Sequence, residues 1–191
     1  MSAAPPITAD YFTFFSLPRK LSLDNAALQK RFYELSRQLH PDRFAGRSAA
    51  EQQYALDATA LLNDAYRVLR DPAARAEYLL KLEGFDIGEQ RSKDVPAELL
   101  EEVFELNMML EELRGGDEST RPQLEQERIR FNDMLRAVEA GLAEVSTRFD
   151  ESGAPDSLNA VRGVLNRRRY IQNLVREVER ALAGEAPALG H

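Results

Sequence analysis

Cysteine is absent from this chain of 191 residues, which removes disulfides, thiol catalysis and thiolate metal sites together. Histidine is nearly absent. There are two, one of them the last residue, so a histidine-built metal cage is excluded and we expect neither a metal nor a cofactor. Val, Ile and Thr together number 18, too few for a large sheet, whereas Leu, Ala, Glu and Arg dominate and favour helices. No apolar run approaches the roughly 18 residues of a membrane span. The opening MSAAPPITADYF has no basic stretch and no long apolar one, so a signal peptide is not expected. It also lacks Arg, which argues against a transit peptide. The resulting expectation is a soluble, cytoplasmic protein without membrane contact.

What is present is ordinary in amount and uneven in placement. A hydrophobic fraction of 43% against 30% charged residues suffices for a real core, and the length allows one domain or two small ones. The net charge of −7 argues against a dedicated nucleic-acid binder. Residues 1–84 carry 11 basic and 10 acidic side chains, and residues 85–191 carry 14 and 22. The halves therefore stand near +1 and −8 and are expected to face different partners.

Punctuation by Pro18, Pro41 to Ser48, Asp71–Pro72, Gly84 to Pro96, Gly115–Gly116 and Gly153 to Pro155 separates helix-compatible stretches. The segment from Gly84 to Pro96 mixes Gly, Asp, Ser and Lys and serves as the domain boundary, and the Pro/Gly-rich tail after Gly184 is expected to fray. In the first half a short aromatic helix spans about Asp10 to Phe15. A second spans about Asn25 to Leu39, with Asp24 as N-cap and a stripe of Leu28, Phe32, Leu35 and Leu39. Lys30 and Arg37 fall nearly opposite that stripe, with Arg31 on its shoulder. A third helix, about Ala49 to Arg70, repeats the spacing through Tyr54, Ala58, Leu61, Ala65 and Val68. These two helices form an antiparallel pair whose seam the aromatic helix can cover. The second half reads as three helices with stripes Leu99–Val103–Leu106–Leu110–Leu113, Phe131–Leu135–Val138–Leu142–Val145–Phe149, and Leu158 through Val161, Leu165, Ile171, Leu174 and Val178 to Leu182. Steps averaging about 3.5 residues favour a shallowly crossed three-helix bundle.

The tripeptide His40–Pro41–Asp42 ends the second helix. Pro41 cannot extend it without losing a backbone hydrogen bond, and it pushes His40 out of helical geometry. Both polar side chains are thus expected in solvent. A His with a carboxylate could belong to a nucleophilic triad, but there is no nucleophile elbow, no phosphate loop and no second well-placed His. The plain alternative is a helix-stopping proline in an ordinary loop.

DYFTFFSLP before the basic helix, KRFYELSRQLHPDRF along it and LNDAYRVLRDPAARAEY after the third helix's core occur in an order and spacing that resemble a J-domain over about residues 8–78. That family is a helical hairpin which stimulates ATP hydrolysis by DnaK-type chaperones. The resemblance implies that His40, Pro41 and Asp42 engage the chaperone ATPase. It also implies that Lys30, Arg31 and Arg37, with Arg43 beyond the loop, dock on an acidic chaperone surface, a contact that salt would weaken. Most J-domains end in Tyr-Asp, whereas here Tyr78 is followed by Leu79, and no Gly/Phe-rich linker or Cys-rich zinc region follows. RAEYLL with a downstream Gly, leading straight into an acidic helical bundle, resembles the HscB family of iron–sulfur cluster assembly over about residues 8–183. The fold implied is all-α: a J-domain at 8–84, a linker at 85–96 and a three-helix bundle at 97–183. In that family the J-domain addresses the chaperone HscA, and the bundle binds the scaffold protein IscU.

The bundle offers an independent sign of a binding face. Beside its core stripe, the helix from about Ala97 to Arg114 carries Leu100, Phe104 and Met108 at steps of four, flanked by Glu101, Glu105 and Glu112. So wide an apolar arc is either a docking face with an acidic rim or an interdomain core covered by the first half. The resemblance favours docking and carries the scaffold site onto Leu100, Phe104, Glu105, Met108 and Glu112, with Tyr170 from the third helix of the bundle. Met108 departs from the family, where an acidic residue aligns. The run Arg167–Arg169 reads as a solvated face near Glu177 and Glu179 rather than an RNA site, and Tyr11, Phe12, Phe14 and Phe15 read as core. The rivals are a J-domain co-chaperone for another client, a helical adaptor with no chaperone link and, last, a hydrolase using His40 and Asp42. We expect no catalysis by the chain itself.

Overall fold

A computed structural model describes residues 10–85 and 97–184. All regular structure among them is helical: α1 (Tyr11–Phe15), α2 (Asn25–Leu39), α3 (Ala49–Arg70), α4 (Pro72–Leu82), α5 (Leu100–Arg114), α6 (Arg121–Ser152) and α7 (Pro155–Leu182). The expected linker lies outside the described residues apart from Phe85, as does the tail beyond Gly184. Among the described residues, one compact unit takes the chain up to Phe85 together with Ser146–Ala154. A second takes residues 97–145 and 155–184.

In the first unit every helix start has a side-chain cap. Asp10 accepts from the Phe12 and Thr13 N–H groups, Asp24 from Ala26, and Asp71 from Ala74. Ser48 and Glu51 cap α3 reciprocally. The sequence reading provides no helix for α4, although Asp71–Pro72 is an N-cap followed by a first-turn proline, which is a helix start rather than a loop. Packing of α1, α2 and α4 on α3 also moves the buried ridge of α3. It runs through Ala55, Ala58, Leu62, Ala65 and Leu69, so Tyr54, Leu61 and Val68 sit half-exposed beside it. Phe12, Phe14 and Phe15 are fully buried, as expected of an aromatic core, and α1 touches both members of the α2–α3 pair. Arg75, almost fully buried, donates to the Leu69 carbonyl at 2.6 Å and so satisfies the end of α3.

The end of α6 belongs to this unit and not to the bundle expected over 97–183. Asp150 explains the attachment. Its two carboxylate oxygens accept from the backbone N–H groups of Leu21 at 2.8 Å and Ser22 at 2.6 Å, just ahead of α2.

The second unit is built on Leu99, Leu106, Leu110, Leu124, Phe131, Val138, Ile171, Leu174, Val175 and Val178. The α5 stripe stands as the spacing predicts, with Val103 and Leu113 at its half-buried edge. Helix α6 starts at Arg121, well ahead of Phe131, and its first turns bring in Leu124. The three arginines are half-buried, not a solvated face. Arg167 pairs with Glu98 at 3.5 Å and Arg168 with Glu139 at 3.3 Å, acids that lie on other elements.

Candidate functional sites

The His40 turn is held from several directions. His40 leaves α2 at φ −56°, ψ 127°, the extended geometry that a following proline imposes. Pro41–Phe44 then forms a single 3₁₀ turn. The carbonyls freed at the end of α2 find partners: Thr59 Oγ1 donates to Leu39, the Arg43 backbone N–H to His40, and the Arg43 guanidinium to Arg37. The two polar side chains point outward, His40 being 55% and Asp42 90% exposed.

Between them the hydrogen bonding fixes a tautomer. His40 Nδ1 accepts from the Asp42 backbone N–H at 3.3 Å, which requires a lone pair on that nitrogen and leaves the proton on Nε2. The 3.5 Å approach of Asp42 Oδ2 to the same Nδ1 is then a contact, and it becomes an ion pair only when the ring is protonated. The turn thus offers an outward N–H donor beside an outward carboxylate acceptor.

Of the expected cations, Lys30, Arg37 and Arg43 are exposed, and Arg37 and Arg43 gather at the negative end of the α2 dipole. Arg31 differs. It is half-buried, donates to the Phe15 carbonyl at 3.3 Å and pairs with Glu34 at 3.3 Å, so it ties α2 to the end of α1. Sequence reasoning missed a neighbour of these cations. Tyr33 is 55% exposed and lies three residues after Lys30 and four before Arg37, on the same helical face.

In the second unit the widened apolar arc of α5 is uncovered. Leu100 is 54%, Phe104 66% and Met108 51% exposed, while Leu99, Leu106 and Leu110 on the adjoining face are buried. Glu112 is exposed at the rim. Glu105 is exposed too, but turns toward α6, where Arg130 approaches it at 3.9 Å and bonds Glu102 at 3.0 Å. Tyr170 lies on α7, half-buried against the Leu99–Phe131 cluster. Burial, then Glu177, pushes its phenol above the ordinary range, so it stays a neutral hydrogen-bonding group at physiological pH.

The DnaJ domain family matches residues 10–78. Among solved structures, the chaperone HscB from Vibrio cholerae shares 30% identity at a TM-score of 0.68, over 92% of this chain and 99% of that one. The chain belongs to the HscB family of J-domain co-chaperones. The human co-chaperone protein HscB is similar to the same degree, 30% identical with a TM-score of 0.68, over 92% of this chain and 83% of that chain. The departure at Leu79 has a packing reason in this HscB-family chain. Leu79 and Leu80 are both fully buried on α4, a place where the aspartate of most J-domains would strand a charge. Tyr78 beside them stacks on Tyr11 at 4.3 Å, and its hydroxyl accepts the Tyr11 N–H at 3.0 Å. Among the described residues no helix is long and apolar enough to cross a membrane.

Proposed function

We propose that this chain stimulates ATP hydrolysis by a DnaK-type chaperone of the HscA kind through His40, Pro41 and Asp42. On this reading it also delivers to that chaperone an iron–sulfur scaffold protein of the IscU kind, held on α5. The observation that carries the reading is the row Leu100, Phe104 and Met108, each more than half exposed on a helix that already has a complete core face. Covering a phenylalanine and its apolar neighbours stabilises a complex by about 1.5–3 kcal/mol for each fully buried side chain. Met108 adapts to an irregular surface, Glu112 and Glu105 supply a polar rim, and Tyr170, half-buried on α7, is the further residue assigned to the contact.

The chemistry of hydrolysis belongs to the chaperone. This chain supplies an outward Nε2–H and a carboxylate from a pinned turn, with Lys30, Arg37 and Arg43 steering the approach to an acidic surface. Arg31 acts at one remove, by fixing α2 against α1. Carrying both sites on one chain raises the local concentration of client at the chaperone without any new contact. The work is done in a soluble, cytoplasmic setting.

The test is single-turnover ATP hydrolysis by the chaperone, with and without this protein and the scaffold. Stimulation that rises further with scaffold supports both sites. Stimulation indifferent to scaffold removes the client assignment, and no stimulation leaves only a helical adaptor.

A further inference from the structure

The chaperone-facing side of α2 is not purely cationic. Tyr33 sits in the middle of it, with Lys30 one turn before and Arg37 one turn after. A tyrosine 55% exposed on a helix whose core stripe lies elsewhere contributes little to folding, yet its ring is not loose. Phe32 meets it edge-on at 5.6 Å and is itself stacked on Tyr66 of α3 at 4.3 Å. The Tyr33 carbonyl accepts from Arg37 Nε at 3.3 Å, which holds that guanidinium against the helix one turn back. The result is a large amphipathic side chain, already oriented, standing between two cations.

We propose that Tyr33 is the apolar anchor of the chaperone contact, packing on an acidic surface of the ATPase that has an apolar spot at its centre. The inference rests on the reading above and adds to it a division of labour along α2. The cations govern encounter and salt dependence, while Tyr33 governs how long the complex lasts. An aromatic inside a charged ring is the arrangement in which one side chain dominates an interface, and a ring held in place before binding loses little entropy on docking. Charge complementarity selects the occupant: Lys30 and Arg37 flank Tyr33 on its helical face and Arg43 follows in the next turn, so an acidic protein surface suits it, and a second copy of this chain would bring like charges together.

The experiment titrates single-turnover ATP hydrolysis by the chaperone with the full chain, as wild type and as Tyr33→Ala, Tyr33→Phe and Lys30→Ala, at low and physiological salt. Tyr33→Ala should raise the half-stimulating concentration about tenfold or more with the salt slope unchanged. Tyr33→Phe should stay near wild type, and Lys30→Ala should flatten the slope. Alanine is the strongest helix former and the ring is exposed, so the melting curve should not move. Tyr33→Ala titrating like wild type would overturn the anchor, as would a Tyr33→Phe loss equal to that of Tyr33→Ala. If wild type itself fails to stimulate, the chaperone reading falls and the inference falls with it. Stimulation by wild type with an unaffected Tyr33→Ala removes the anchor alone.

Discussion

Asp150 is the residue whose loss should be felt furthest from its own position in sequence. Its carboxylate takes the backbone N–H groups of Leu21 and Ser22, 129 and 128 residues away. A hydrogen bond to a charged acceptor contributes about 1.5–3 kcal/mol, and a buried donor left without a partner carries a further desolvation cost. The two bonds are not equal. Leu21 is buried, so its N–H cannot fully recover a partner from water, whereas the Ser22 bond is exposed and is replaced by solvent at little cost. Asp150 also offsets the burial of Arg75. Desolvation holds that guanidinium below its ordinary range, and Asp150, followed by Asp71, acts in the opposite sense. Asp150→Ala should therefore cost about 2–3 kcal/mol in all, or roughly 4–12 °C in melting temperature for a chain of this length. Asp150→Asn, which keeps one acceptor oxygen, should lose about half as much. Urea unfolding followed by far-UV circular dichroism and by tyrosine fluorescence, clean in a chain without Trp, measures the loss. Amide exchange locates it: Leu21 and Ser22 should exchange faster while Phe131 does not. An Asp150→Ala protein within about 0.5 kcal/mol of wild type, or with unchanged exchange at Leu21, would refute the reasoning.

His40→Gln should abolish ATPase stimulation and leave scaffold binding intact, since the two lie on separate units; a stimulating His40→Gln protein would remove the turn from the contact. In a scaffold-binding titration Phe104→Ala should cost about 2 kcal/mol or more and Glu105→Ala less than about 1, because Glu105 is exposed and partly engaged by Arg130; equal, negligible losses would clear α5 of the role. Acid should loosen the first unit through Asp10. Burial by itself would raise that carboxyl, but hydrogen bonds from Arg19 and Thr13 outweigh it and hold the group below its ordinary 3.8. Its contribution is thus complete above the unfolded value and is lost as pH falls through the lower folded one. Asp10→Asn should flatten stability against pH in that acid window, and an unchanged acid limb would refute the assignment.

Much of this was legible because the signals are local. Asp24 as a cap, the proline that ends α2 and the stripe of α5 each depend on residues within a turn or two, and each stands where the spacing places it. Helix α4 is legible in the same way from Asp71–Pro72, where the proline is a first-turn residue behind its cap and not a break. Tyr33 left no comparable signal: among aromatics that are mostly core, nothing in the spacing singles out the one that stays in solvent.

The sequence by itself determined which residues share a helical face, where α1, α2 and α3 begin and end, and the His40–Pro41–Asp42 turn with its J-type surroundings. Periodicity and capping are properties of a few neighbouring residues. Tertiary structure alone decided which faces are covered. Leu100, Phe104 and Met108 are each more than half exposed beside the buried Leu99, Leu106 and Leu110, while the ridge of α3 shifted to meet α1, α2 and α4. It also decided that the end of α6 belongs with the first unit, and that Arg167 and Arg168 are answered by Glu98 and Glu139. Burial and ion pairing depend on groups brought together from distant parts of the chain, and no local spacing carries that information.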